Sequence, residues 1–403
     1  MAEKSKEIED AGQSGMNKQK WILPVIVISQ FCCTSLWFAG NGVMSDLAFA
    51  FHLDQRALGH LTSAVQLGFI AGTLTFAVMS IADRFSPSRV FFACAIVGGL
   101  FNLGTILENS NLTGLMGFRF LTGFFLAGIY PVGMKIASDY YEKGLGKSLG
   151  FLVGALVVGT ASPHLMKVVA SELSWRFVLI LTSLIAAVGG LMMLILVPDG
   201  PYKRPAQKLD MAASFKVFQS KPFRSAAFGY FGHMWELYTF WAFVPFMLTT
   251  YMDLHPGISF QVPLLTFVII GLGGFACVLA GYVSEVFGVK RTAAVALTLS
   301  CACCLLSPLA YTFDSSSVMI GFLVLWGLFV IADSPLFSAL VAQNANPEVR
   351  GSALTMVNCI GFSITVLSIQ LINVLKDIIN LQYLFMLLAI GPVLGLLALY
   401  EKK

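Results

Sequence analysis

The chain has 403 residues, of which 57% are hydrophobic and only 11% charged, with a net charge of +4. Soluble domains carry about 25% charged residues, so a chain built mainly to face water is excluded and an integral membrane protein is expected. The basic residues gather in loops and ends, which argues for a membrane-facing charge pattern and against a nucleic-acid surface.

The first twenty residues are polar and mixed in charge, without the short apolar core and small-residue cleavage site of a secretory signal. A cytosolic tail is expected over 1–20. Apolar runs of about 20 residues, the length that crosses roughly 30 Å of hydrocarbon, then recur along the whole chain. They fall at 21–44, 60–82, 88–108, 114–138, 147–170, 176–198, 223–250, 262–284, 291–312, 317–341, 351–375 and 380–400. This pattern predicts an all-α integral membrane protein with twelve transmembrane helices in two pseudo-symmetric six-helix bundles. The bundles are expected over 21–198 and 223–400. A basic cytosolic linker at 199–222, holding Lys203, Arg204, Lys208, Lys216 and Lys221, joins them.

With the amino terminus inside, nineteen of the 25 Lys and Arg residues fall in cytosolic segments and four outside. Both termini are therefore expected in the cytosol, on a multi-pass protein of the cell (inner) membrane. The halves also echo each other. Asp83 and Arg84 follow the second span, as Gly281, Glu285, Gly288, Lys290 and Arg291 follow the eighth. Gly128-Ile129-Tyr130-Pro131 in the fourth span matches Ala332-Asp333-Ser334-Pro335 in the tenth, with the prolines 204 positions apart. Two parallel six-span repeats are predicted.

At these residues the chain resembles the major facilitator superfamily of secondary transporters, over essentially its full length. The family's loop signature, Gly-x-x-x-Asp-Arg-x-Gly-Arg-Arg, is met by Asp83 and Arg84, whereas Met79 and Ser86 replace its glycines and Pro87 and Ser88 its paired bases. The second copy keeps Gly281, Glu285, Gly288, Lys290 and Arg291. The resemblance implies that both sets form a conformational latch. Arg119 with Gly123 resembles the family's Arg-x-x-x-Gly motif, and Trp175-Arg176 opens the sixth span as is common there. Gly150, Gly159 and Pro163 partly resemble the fifth-span motif of proton-coupled exporters. The resemblance further implies that spans one, four, seven and ten line a central cavity, and that the chain works by alternating access.

Charge well inside the spans is scarce: two acids, Glu236 and Asp333, and two bases, Arg119 and Lys135. Charged side chains at membrane depth cost roughly 2.5 kcal/mol or more to insert and commonly mark a functional site. Glu236, Asp333 and His233 are therefore expected to couple transport to protons, since an acid removed from water holds its proton more readily. The structural alternative is a neutral Glu236 bonded to a neighbouring helix, with Asp333 supporting the backbone beside Pro335. Arg119 and Lys135 are expected to attract an anionic ligand. Arg119 alternatively anchors the first span, and Lys135 alternatively snorkels to the surface. Trp37, Asn41, Tyr130, Trp235, Tyr238, Trp241 and Asn358 complete the expected substrate pocket, although aromatic residues also serve simply as packing.

The eight cysteines all lie in apolar runs, and Cys301-Ala302-Cys303-Cys304 has no nearby His or acid in sequence, so neither a metal nor a disulfide framework is expected. Gly146-Lys147-Ser148 echoes a phosphate-binding loop, but Tyr141 stands where its first glycine should be. No cofactor is expected, and no enzymatic constellation is present. The expected function is proton-coupled transport of a small polar or anionic metabolite by a monomer in the lipid bilayer. A proton-coupled exporter of cationic drugs is the alternative within the class, and a transporter-like receptor the alternative outside it.

Overall fold

A computed structural model describes residues 21–54, 56–108, 110–141, 145–202, 216–346 and 348–400, with the side chains of 145–147 not described. The tail at 1–20 and most of the 199–222 linker lie outside these residues, as does the side chain of Lys147 in the Gly-Lys-Ser echo. Ten helices are long and apolar enough to cross a membrane. In chain order these are α2 (Ala57–Val78), α3 (Pro87–Gly104), α4 (Leu112–Tyr140), α5 (Leu145–Val169), α6 (Arg176–Leu196), α8 (Val262–Phe287), α9 (Val289–Ala310), α10 (Ser316–Asn344), α11 (Arg350–Leu375) and α12 (Leu381–Tyr400). Two further spans complete the twelve. One is α7, the 34-residue helix Lys221–Leu254, whose Gly, His, Glu and aromatic content dilutes its hydropathy. The other is α1, which is helical over Trp21–Thr34 and then proceeds through the short helices Ala39–Gly42 and Met44–Ala50.

Several spans are broken near mid-depth, where the sequence withholds a backbone donor or a regular turn. In α4, Leu112–Leu126 gives way to Tyr130–Tyr140 just before Pro131. The same event recurs in α10, where Ser316–Ala332 ends at Asp333 and Ser334–Asn344 begins with Pro335 in its first turn. Proline lacks the N–H that would bond the carbonyl four residues back. The paired breaks are the structural form of the repeat seen in the sequence. At the α8–α9 turn, Gly288 adopts φ +85°, a left-handed conformation open to glycine at little cost.

The first six spans pack through α2 against α4 and α3 against α6, and the last six through α7 against α12 and α9 against α10. Where α2 meets α4, a methyl group at Gly68 would overlap the carbonyl of Phe120, and one at Gly123 that of Val65. The two backbones are therefore in direct contact. Between the bundles, α2 lies along α11 and α5 along α8.

Hydrogen bonds join the bundles at one end. Here the near end is where α1 starts and α12 finishes, and the far end is its opposite. At the far end Gln370 Nε2 donates to Gly59 O at 2.9 Å and to Ser63 Oγ at 2.7 Å, and Asn373 Nδ2 donates to Arg56 O at 3.0 Å. Arg56 and Asp377 form an ion pair at 3.0 Å, with side chains 51% and 36% exposed. Such an exposed pair contributes about 0–1 kcal/mol, and each neutral bond about 0.5–1.5 kcal/mol. The neutral amides therefore dominate a closure worth only a few kcal/mol in all.

Two outcomes follow from this packing. Gly123→Val should overpack the α2–α4 crossing and cost about 1–3 kcal/mol, read as a lower thermal midpoint, whereas Gly117→Ala, with nothing within 4 Å of its Cβ position, should be neutral. Gln370→Leu combined with Asn373→Leu should separate the far ends of α2 and α11, read as a longer spin-label distance across them. An unchanged distance distribution would show that these amides do not hold that end.

Candidate functional site

Aromatic rings from both bundles meet at mid-depth. The Trp37 ring lies 4.8 Å from Phe69 of α2 and stacks at 5.7 Å on both Tyr238 of α7 and Phe362 of α11. Trp241 packs 5.2 Å from Tyr238, and Phe38 meets its edge at 6.3 Å. Trp37 and Trp241 are completely buried, yet neither indole N–H has a hydrogen-bond partner among the described residues. A buried donor left unpaired costs about 1–3 kcal/mol, so two in one ring cluster are chemically notable. Tyr130 of α4 lies within electrostatic range of Tyr230 and Tyr238, on the same side of α7.

The opposite face of α7 turns into its own bundle. Glu236 is 1% exposed, and three donors converge on its Oε1: Ser300 Oγ at 2.5 Å, Trp326 Nε1 at 2.6 Å and Cys304 Sγ at 3.2 Å. One turn earlier, His233 Nδ1 lies 2.8 Å from Asp333 Oδ1, with both side chains 1% exposed. His233 Nε2 and Asp333 Oδ2 have no hydrogen-bond partner among the described residues. The α10 break brings Asp333 to this position. Pro335 also frees the carbonyl of Ile331, which accepts from Cys277 Sγ of α8 at 3.5 Å.

The two bases do not face these acids. Arg119 is 1% exposed, and its Nη1 donates to Leu36 O and to Asn102 Oδ1, each at 3.1 Å, while Nη2 donates to Trp37 O. Residues 35–38 leave the α1 helix there, so the guanidinium closes carbonyls that the broken helix cannot. Asn102 is held in turn by Leu179 O, Thr182 and Ser183 of α6. Lys135 lies near the end of α4, 3.0 Å from Asp83 and 3.6 Å from Asp139. It thus joins a residue expected in the latch. Asp139 enters because α4 runs past position 138 to Tyr140. In the second copy of the latch, Glu285, Gly288, Lys290 and Arg291 are exposed at the α8–α9 turn, with Gly281 one turn before Glu285, while Arg84 closes the short helix after α2.

The remaining expected pocket residues divide. Asn41 Nδ2 donates to Thr62 Oγ1 at 2.9 Å within the first bundle. Trp235 Nε1 donates to Leu387 O of α12 at 3.2 Å, away from the ring cluster. Asn358 is half-buried on α11. Sequence reasoning missed Ser300, Cys304 and Trp326 around Glu236, and three buried polar residues of the first bundle, Gln66, Thr160 and His164. All three are uncharged polar residues in apolar spans, and an inventory of formal charge passes over them.

A model of the Major Facilitator Superfamily matches residues 26–369. The chain belongs to this superfamily. It is a multi-pass membrane transporter and not an enzyme. The proton:xylose symporter XylE, bound to 6-bromo-6-deoxy-D-glucose, has a similar fold, with a TM-score of 0.74 and 13% identity over 96% of each chain. Among curated relatives, the 4-hydroxybenzoate transporter PcaK of Pseudomonas aeruginosa is 28% identical over 153 residues, 36% of this chain and 33% of that one. The niacin transporter NiaP of Acinetobacter baylyi is 33% identical over 159 residues, covering 34% of this chain and 36% of that one. The matched stretches thus span about a third of these two relatives.

If Arg119 serves α1 and not a ligand, Arg119→Met should destabilise the protein by about 3 kcal/mol or more, because charge-assisted bonds to two buried carbonyls are lost together. Arg119→Lys should recover part of that loss, read by thermal unfolding in detergent. A stable Arg119→Met protein with impaired ligand binding would reverse the assignment.

Proposed function

We propose that this protein is a proton-coupled transporter of small aromatic carboxylic acids, working by alternating access between its two bundles. The observation that carries the reading is the ring cluster of Trp37, Phe69, Tyr238, Trp241 and Phe362, drawn from four spans and both bundles. Offset and edge-on ring contacts can be exchanged for contacts to a planar ligand at similar geometry. The relatives named as 4-hydroxybenzoate and niacin transporters support an aromatic acid within the wider class of polar and anionic metabolites. In this reading Tyr130 and Asn358 flank the ligand, while Arg119, Asn41 and Trp235 shape the helices around it.

A proton carrier must be tolerated both with and without its proton. The Asp333–His233 pair suits this, because each partner retains an atom with no other bond. We assign the exchanging proton to that pair and give Glu236 the role of an internal acid, cradled by α9 and α10. The near end is the cytosolic end in this reading, following the Lys and Arg asymmetry. The latch residues Asp83, Arg84, Gly281, Glu285, Gly288, Lys290 and Arg291 are then cytosolic, and their pairing changes as the bundles rock. Lys135, which pairs with Asp83, belongs with them.

The test is uptake of radiolabelled 4-hydroxybenzoate into proteoliposomes. Acid on the side of entry should drive accumulation, and Asp333→Asn should abolish that accumulation while sparing exchange of labelled for unlabelled substrate. Uptake indifferent to the imposed gradient would exclude proton coupling. Gradient-driven uptake of aliphatic but not aromatic acids would exclude the ring cluster as the substrate site.

A further inference from the structure

We propose that Gln66 of α2 and Thr160 and His164 of α5 bind the carboxyl end of the substrate, with the His164 imidazole as its charge partner. The proposal rests on the aromatic-acid reading above and adds the polar half of the same site. Gln66 and Thr160 are completely buried and His164 is 3% exposed. Both amide atoms of Gln66, Thr160 Oγ1 and His164 Nε2 have no hydrogen-bond partner among the described residues. Buried polar atoms are ordinarily paired, so these unpaired ones, with Thr160 and His164 one turn apart on α5, mark a place where a polar ligand belongs.

Helical position aims these groups at the ring cluster. On α2, Gly59 and Ser63 bond α11 across the seam. Gln66 lies on the same stripe, one turn further in, and Phe69 follows three residues later against Trp37. On α5, Gly159 is packed against Phe31 and Thr34 of α1, while Gly154 and Val157 lie against α8. Val158 packs against Gly274 of α8 as well. The arc between the α1 and α8 contacts carries Val153, Thr160 and His164, all buried. That arc faces the interior.

An ionised carboxylate in such a site needs a counter-charge, and the nearby permanent cations are already engaged. Arg119 serves the α1 carbonyls, Lys135 pairs with Asp83 and Asp139, and Lys167 pairs with Asp46 at 2.7 Å. The other titratable groups on elements packed against α5 are also accounted for. Arg176 of α6 pairs with Glu108, and Asp333 of α10 with His233. Tyr282 and Glu285 lie at the near end of α8, remote from His164, which lies toward the far end of α5. On α1, Cys33 bonds Ala186 O, with Cys32 beside it. Tyr130 and Tyr140 of α4 and Cys277 of α8 are neutral acids that cannot supply positive charge. His164 can. It gains a proton as the carboxylate arrives and supplies the counter-charge, while the exchanging proton stays with the Asp333–His233 pair.

Calorimetry on the purified full chain, in two buffers of different ionisation enthalpy near neutral pH, tests this with 4-hydroxybenzoate and its neutral isostere 4-hydroxybenzamide. The acid should bind with uptake of about one proton and the amide with none. His164→Gln should weaken the acid about tenfold or more, keep the amide within about threefold and abolish the proton uptake, while Gln66→Leu should weaken both ligands. If the wild-type protein binds the acid without proton uptake, or if His164→Gln leaves its affinity unchanged, the assignment is overturned while the aromatic-acid reading stands. The wild-type measurement decides even if a variant fails to fold. If the wild-type protein binds no aromatic acid, both readings are overturned together.

Discussion

In hydrocarbon no water closes an open carbonyl, and each one left unsatisfied costs several kcal/mol. Three broken spans take a side-chain donor from a neighbouring helix. Arg119 closes Leu36 and Trp37 of α1, while Cys277 adds a donor to Ile331 O of α10 and Trp235 one to Leu387 O in the 3-10 segment Phe385–Ala389 of α12, carbonyls that also accept from Asp333 N and Ile390 N. The breaks bend α1 and α10 where the bundles face each other, and the borrowed donors hold those bends. Asp333 and the Trp37 ring take their positions from backbone irregularities, and those irregularities exist because side chains elsewhere support them.

This explains how far the sequence could be read. Twelve apolar runs, the basic linker and the offset prolines all follow from hydrocarbon thickness and internal repetition, and the fold was legible from them. The site was legible in part. His233 and Glu236 are three positions apart and so share a face of α7. Tyr238 lies about 200° from Glu236 and turns to the opposite side. The acid and the aromatic residues of one stretch thus serve different surroundings. Arg119 and Trp235 were candidates for ligand contact because they are a charge and a ring at membrane depth. Which carbonyls a broken helix leaves open is a three-dimensional fact, and so is the side chain that reaches them. Gln66 and His164 escaped for the converse reason, since their distinction lies in having no partner, which no sequence displays.

The arginine motif of α4 acquires a physical meaning from these contacts. Gly123 permits the α4 backbone to touch Val65 of α2, and Arg119, one turn earlier, reaches the opened carbonyls of α1. A single helix thereby fixes two neighbours, one by shape and one by charge-assisted bonds. Asn102 extends the hold to α6 through three further acceptors. The first bundle is tied together by this chain of polar contacts. The second has a comparable buried centre at Glu236, where donors from α9 and α10 meet α7.

Between these two internally bonded units the seam is chemically different. At mid-depth it includes ring contacts such as Trp37 with Tyr238 and Phe362, each worth about 0.5–1.5 kcal/mol and replaceable by other offset or edge-on contacts as the rings slide. Directional bonds cross it at the far end, through Gln370, Asn373 and Arg56. Internal bonds in each bundle are buried and numerous, so neither unit deforms cheaply. The bonds across the seam are few and partly exposed, and their combined strength of a few kcal/mol is the scale on which two conformations can both be populated. A molecule built this way has a preferred axis of motion. Rocking one bundle against the other breaks a handful of amide contacts at one end and slides rings past each other at the centre, whereas any other large motion must open a buried core.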